Sequence, residues 1–90
     1  MYEWNQEKNA ANLKKHGISF EEAVLIFEAP VLSKLDMRFD YGEERIISTG
    51  LIRDVVAVVV VHTERDGVTR IISARLANRA EKREYYDHYR

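Results

Sequence analysis

The chain has 90 residues, 46% hydrophobic and 32% charged, with one Pro, four Gly and no Cys; that suits one small domain over 1–90 and excludes a disordered chain, a disulfide scaffold and a thiolate metal site. The formal net charge is −1, yet residues 1–44 hold five basic and nine acidic side chains while residues 45–90 hold nine and six, including eight of the nine arginines. The longest apolar run, Val55 to Val61, is far short of the roughly 20 residues of a membrane-spanning helix, and Met1 to Asn5 lacks a basic-then-apolar leader pattern, so a cytoplasmic location is expected.

In chain order, Asn5 to His16 reads as a first helix. Asn5 suits the N-cap, Lys14, Lys15 and His16 suit the negative end of the helix dipole, and Gly17 supplies a left-handed C-terminal residue. Its candidate core residues are Ala10, Ala11 and Leu13, with Trp4 as an anchor at its start. Ser19-Phe20-Glu21-Glu22 is a capping box, and Phe20, Ala23, Val24 and Phe27 give one apolar face of a second helix running to about Glu28, closed by Pro30. The two helices are expected to form a hairpin around Gly17 and Ile18.

Beyond Pro30 the period changes. Residues 31–35 read as a weak strand, 36–44 as a polar connection containing Tyr41-Gly42, and 45–53 as a second strand ending in an Arg53-Asp54 turn. Residues 55–62 form a nearly unbroken Val run, as expected of a central strand covered on both faces. Asp66-Gly67 is a two-residue hairpin signal leading into a fourth strand over 68–75. Asn78-Arg79-Ala80-Glu81 is a second capping box, opening a final helix toward His88. The expected architecture is α+β: two N-terminal helices, a four-stranded antiparallel sheet and a C-terminal helix.

Phosphate-loop, nucleophile-elbow and zincin motifs are all absent, and His16, His62 and His88 lack ligand-like spacing, so neither a metal nor a cofactor is expected. The chemistry-bearing residues concentrate around the last two strands and the last helix: His62, Arg65, Arg70, Arg75, Glu81, Lys82 and Tyr85. Strict alternation puts Arg75 on one face with Ser73 and Ile71, and Arg70 on the other. Arg65, Arg75, Glu81 and Tyr85 are expected to gather at one end of the sheet. Metal-independent RNA cleavage needs such a set: a base for the 2′-hydroxyl, a cation for the phosphate and a proton donor for the leaving 5′-oxygen. An Arg75–Glu81 surface pair beside packed tyrosines accounts for the same residues without chemistry. Lys15-His16 likewise reads as a dipole-matched helix end or as two cations poised near an anion. His62 reads as a hydrogen-bonded residue at the end of a strand.

Taken together these segments resemble a known family, the BrnT toxins, the ribonuclease half of the BrnT–BrnA type II toxin–antitoxin systems. The resemblance rests on Trp4, Lys8 and Asn12, then on Lys15-His16-Gly17 running into Ser19-Phe20-Glu21-Glu22-Ala23, on Phe27, Pro30, Gly42-Glu43-Glu44-Arg45 and Gly50, and on Thr63-Glu64-Arg65, Arg70-Ile71-Ile72-Ser73-Ala74-Arg75, Ala77, Glu81 and Tyr85. It spans residues 4 to about 86, departing at Asn5, where the family pattern has Asp. It implies a RelE-like fold, endoribonuclease activity that halts translation, and a BrnA-like antitoxin with a ribbon-helix-helix part through which alone the toxin meets DNA. A toxin dimer bridged by an antitoxin dimer is also implied. Lys15, His16, Arg65, Arg75, Glu81 and Tyr85 carry over as site candidates. Two readings compete with an enzyme: a non-catalytic RNA- or protein-binding module on the same fold, and an interaction domain that offers its weak first strand as an edge.

Overall fold

Local capping signals fix the helix ends in the computed structural model, which describes residues 1–38, 40 and 42–89. Helix α1 (Gln6–His16) starts where the Asn5 side chain accepts the Lys8 N–H at 3.0 Å, and it ends at Gly17, φ +75°, whose N–H reaches Leu13 O at 2.8 Å. Ser19 and Glu22 form both bonds of their capping box at the start of α2 (Phe20–Ala23). The second helix is shorter than expected: after four residues it tightens into a 3-10 turn over Val24–Glu28. The reason lies in which side chains are buried. Phe20, Ala23 and Ile26 are completely enclosed; they recur every three residues, the period of a 3-10 turn. The backbone of Gly50 makes room for that turn, since a Cβ there would lie 2.9 Å from Ile26 Cβ.

Five strands follow the order β1-β5-β4-β3-β2. They are β1 (Tyr2–Glu3), β2 (Leu32–Leu35), β3 (Ile46–Ile52), β4 (Val56–Arg65) and β5 (Val68–Leu76), followed by α3 (Arg79–Tyr89). The expected four-stranded antiparallel sheet is therefore a five-stranded mixed one. The additional strand, β1, precedes α1 and runs parallel to β5, pairing Tyr2 with Thr69 and Glu3 with Arg70. A two-residue strand carries no periodicity, so only its pairing reveals it. The Val-rich β4 is central, as its sequence predicts. Its flanking turns are left-handed at both positions, Arg53 and Asp54 (φ 52° and 62°) and Asp66 and Gly67 (φ 53° and 78°), matching the right-handed twist of hairpins. The connection over 36–44 includes Tyr41, which lies outside the described residues.

The two faces of the sheet are covered differently. On one, Phe20, Ala23 and Ile26 pack on Val58, Val60, Ile71 and Ala74, with Trp4 edge-on to Phe20. On the other, Ala57, Val59 and Ala77 form a smaller cluster with Ile47 and Leu51. Helix α3 spans the outer end of that second face, where Tyr85 and Tyr89 donate hydroxyl hydrogen bonds to the Pro30 and Val31 carbonyls. None of the described helices is long and apolar enough to cross a membrane.

Helix α1 is not held by apolar residues. Ala10, Ala11 and Leu13 are all exposed, and the buried positions are Asn9 and Asn12. The Asn12 amide donates to Ile18 O at 2.9 Å and Ala74 O at 2.8 Å and accepts Ala74 N–H at 3.2 Å. Asn9 accepts Phe20 N–H at 2.7 Å and donates to Glu21 at 2.7 Å. Replacing Asn12 by Ala leaves several buried backbone groups unpaired. The expected loss is about 3 kcal/mol, read as a lower midpoint in urea unfolding, with Asn12→Asp no better because a carboxylate donates nothing.

Candidate functional site

Arg75 and Glu81 are brought together by the junction between β5 and α3. Asn78 and Glu81 exchange both capping-box bonds at 2.8 Å, which turns the Glu81 carboxylate back over the end of β5. There it takes two parallel bonds from Arg75, Nη1 to Oε1 and Nη2 to Oε2, each 2.8 Å. Arg75 Nη1 also donates to Leu76 O at 3.3 Å. These bonds hold the Glu81 carboxyl below its ordinary range, the Arg75 bond contributing most and burial opposing it. The Arg75 guanidinium is correspondingly favoured, with burial and then the charge of Arg38 opposing. The geometry presents a fixed, planar cation, and a guanidinium has five donors, more than these bonds use.

Helix α1 approaches the same end of β5. Its Asn12 bonds fall on Ala74, the residue before Arg75. His16 follows Asn12 by one turn on the same helix face and is partly buried, while Lys15 is exposed. The side chains of Lys15 and His16 have no hydrogen-bond or ion-pair partner among the described residues, whereas Arg75 is held by Glu81 and Leu76 O.

Two expected members stand apart. Arg65 and Arg75 do not share an end of the sheet, because the hairpin lies at one end of the nine-residue β5 and the helix junction at the other. On β4, Arg75 sits opposite Val59, whereas Arg65 is itself six residues further on and pairs with Val68, a separation of about 20 Å at the strand rise. Arg65 is held instead by Glu43 at 2.9 Å. Tyr85 is 5% exposed, with its hydroxyl on Pro30 O at 3.0 Å; burial, more than the neighbouring Tyr89 and Tyr86, pushes its phenol up.

The expected division of faces on β5 is also corrected. Val61 pairs with Ser73 but His62 pairs with Ile71, so Ile72 is an extra residue in a β-bulge. Ile71 therefore points to the core with Ala74, and Arg70, opposite Thr63, shares the outer face with Arg75, opposite Val59. Sequence alternation misses this role of Arg70, since a bulge leaves no composition signal.

His62 is hydrogen-bonded, as its sequence context predicts, but it is buried within β4, three residues before the end of the strand and not at it. Its Nε2 is 2.7 Å from Ser48 Oγ and its Nδ1 2.8 Å from Glu64 Oε2. The arrangement imitates a nucleophile triad, but Ser48 is wholly enclosed and its hydroxyl is also 2.7 Å from Ser33 Oγ. No substrate reaches it, and the chain serves to satisfy polar groups across β2, β3 and β4. Among the described residues no group of three or more His, Asp or Glu could hold a metal ion.

The depressed Glu81 carboxyl makes a pH prediction. Its stabilisation is complete above the unfolded value of about 4.5 and is lost as pH falls below that through the folded value. Glu81→Gln retains a cap acceptor but loses the ion pair. It is expected to lower stability by about 0.5–1 kcal/mol at neutral pH after solvent screening, and to flatten the acid limb of a urea-midpoint series below pH 4.5.

A family model described as "Ribonuclease toxin, BrnT, of type II toxin-antitoxin system" matches residues 4–81. That span contains Lys15, His16, Arg65, Arg75 and Glu81 but ends before Tyr85. Among solved structures, the crystal structure of the Brucella abortus ribonuclease toxin, BrnT, is similar with a TM-score of 0.65 and 22% identity, covering 88% of this chain and 99% of that one. At that identity the likeness is one of fold. No curated protein matches the chain.

Proposed function

The chain belongs to the BrnT family of ribonuclease toxins of type II toxin–antitoxin systems, and on that premise we propose that it is a metal-independent endoribonuclease whose chemistry centres on Arg75. The observation that carries the proposal is the doubly bonded Arg75–Glu81 pair at the strand-to-helix junction, with α1 docked through Asn12 on the neighbouring Ala74. A guanidinium held in a plane is suited to the charge that develops on a phosphate in the transition state.

In the proposed reaction the 2′-oxygen of one nucleotide bonds to the adjacent phosphorus as the bond from phosphorus to the 5′-oxygen breaks. The products are a 2′,3′-cyclic phosphate and a 5′-hydroxyl. Glu81 is a poor candidate for the base, because both its oxygens are occupied and its carboxyl is held ionised. His16 takes that role in this reading, imidazole being the side chain that exchanges protons near neutral pH. Lys15 donates to the leaving oxygen, and Glu81 positions Arg75. Tyr85, its hydroxyl already given to Pro30, is a packing anchor. Cleavage of translated RNA would halt protein synthesis. A BrnA-like antitoxin with a ribbon-helix-helix part, assembled with the toxin as paired dimers, would restrain it and make the contact with DNA.

The test is incubation of the purified protein with total RNA in EDTA, with and without translating ribosomes, beside Arg75→Ala. Cleavage is expected from the parent and at least about a hundredfold less from the variant. RNA bound but intact in every arm identifies a binding module and overturns the assignment. Tyr85→Phe separates packing from chemistry: it is expected to lose about 1 kcal/mol of stability while cleaving RNA within a few-fold of the parent.

A further inference from the structure

The β-bulge at Ile72 does more than preserve the core. By slipping β5 one residue against β4, it places Arg70 and Arg75 on one face, opposite Thr63 and Val59. Arg65, two residues beyond Thr63 on β4, continues the same face. Counted along β4 from Val59, the three guanidinium-bearing positions fall at 0, about 13 and about 20 Å at a rise of about 3.3 Å per residue. Arg65 and Arg75 are too far apart to share a phosphate, and the spacing of about 7 Å between the Arg70 and Arg65 rungs is that of neighbouring phosphates in an extended strand.

These side chains are accessible, at 63% for Arg65, 38% for Arg70 and 45% for Arg75. Each is fixed by one carboxylate at 2.8–2.9 Å: Glu43, Glu3 and Glu81. Three elements otherwise unrelated in sequence supply those carboxylates: the connection before β3, β1 and α3. Glu3 reaches Arg70 because β1 pairs in parallel with β5 at that rung. The outer face of β4 and β5 therefore presents a row of ordered cations leading away from the candidate site, along strands rather than around them.

We propose that this row is a track for single-stranded RNA, in which Arg70 and Arg65 bind phosphates several nucleotides removed from the one at Arg75. The proposal rests on the ribonuclease reading for the identity of the Arg75 phosphate, and it assigns Arg65 to a distant phosphate instead of the scissile one. A row of cations with the half-buried Ser73 and Val61 between them suits a flexible polyanion, whose affinity is set by phosphate contacts and is steeply salt-dependent.

The test measures binding of a mixed-sequence RNA octanucleotide, 2′-O-methylated throughout to prevent cleavage, over a range of salt. Arg70→Gln and Arg65→Gln are each expected to weaken binding about tenfold at low salt and to reduce the slope of log affinity against log salt by about 0.7, the value of one single-strand phosphate contact. Because they act on separate phosphates, the two losses add in the double variant. Glu3→Gln breaks the same ion pair as Arg70→Gln but leaves the guanidinium, and it is expected to keep the parental affinity or exceed it. The track is overturned if both Arg variants bind as the parent does, if Glu3→Gln weakens binding as much as Arg70→Gln, or if the parent ignores the octanucleotide and binds polyglutamate, the mark of an acidic protein partner. An all-ribose octanucleotide separates the two readings. Arginine-sensitive binding with neither the octanucleotide nor ribosome-borne RNA cleaved upholds the track and removes the ribonuclease; cleavage with binding indifferent to Arg70 and Arg65 does the reverse.

Discussion

The fold depends on one side-chain amide. Strand β1 covers β5 only at Thr69 and Arg70, so the edge of β5 nearer its end would otherwise present bare backbone. Asn12 fills that gap. It offers Ala74 a donor and an acceptor, as a neighbouring strand would, and its remaining amide hydrogen holds Ile18 in the turn between α1 and α2. A helix of low apolar content is thereby docked with directional bonds, which fix its rotation as well as its distance. That rotation decides where Lys15 and His16 lie. An apolar contact of similar area would stabilise the helix without setting its final turn against the strand that carries Arg75.

The second constraint is the bulge. In a regular strand Ile71 and Arg75 share a face, and one of two things would follow: an arginine in the core or an isoleucine in solvent. The extra residue at Ile72 removes the conflict by letting Ile71 and Ala74 both point inward. Arg70 then joins Arg75 on the outside, where Glu3 meets it. Core packing and the gathering of cations are thus two results of the same bulge, and an unbulged strand of the same sequence would lose one or the other.

Much of this was legible in the sequence where the cause is local. Asn5, Gly17, the Ser19–Glu22 box, the Asn78–Glu81 box and the Arg53-Asp54 and Asp66-Gly67 turns all act within four residues, and each sits as its chemistry dictates. The centrality of β4 was legible too, because an unbroken Val run leaves no polar face. What was not legible is set across the sheet: the parallel pairing of β1, the shortening of the second helix to fit Gly50, the bulge at Ile72 and the burial of Asn12. Arg65 and Arg75 are close in sequence, but one lies at the turn of the β4–β5 hairpin and the other near its open end, and sequence distance alone does not report the direction of a strand. Of the candidate site, the Arg75–Glu81 pair was the part that local capping could foretell.

Charge pairing on the outer face bears on how a chain of net charge −1 can address a polyanion. Arg65, Arg70 and Arg75 each have a carboxylate partner, so the face carries little net field and long-range attraction is weak. What the carboxylates provide is order. An arginine side chain loses about 2 kcal/mol of rotamer freedom when it is immobilised, and here that loss is taken on folding, before any ligand arrives. A single phosphate gains little from such a surface, since it must compete with a carboxylate at each cation. A strand that meets several cations in register gains at every one. Discrimination for an extended ligand over small anions follows from spacing and pre-ordering, and it needs no excess of positive charge.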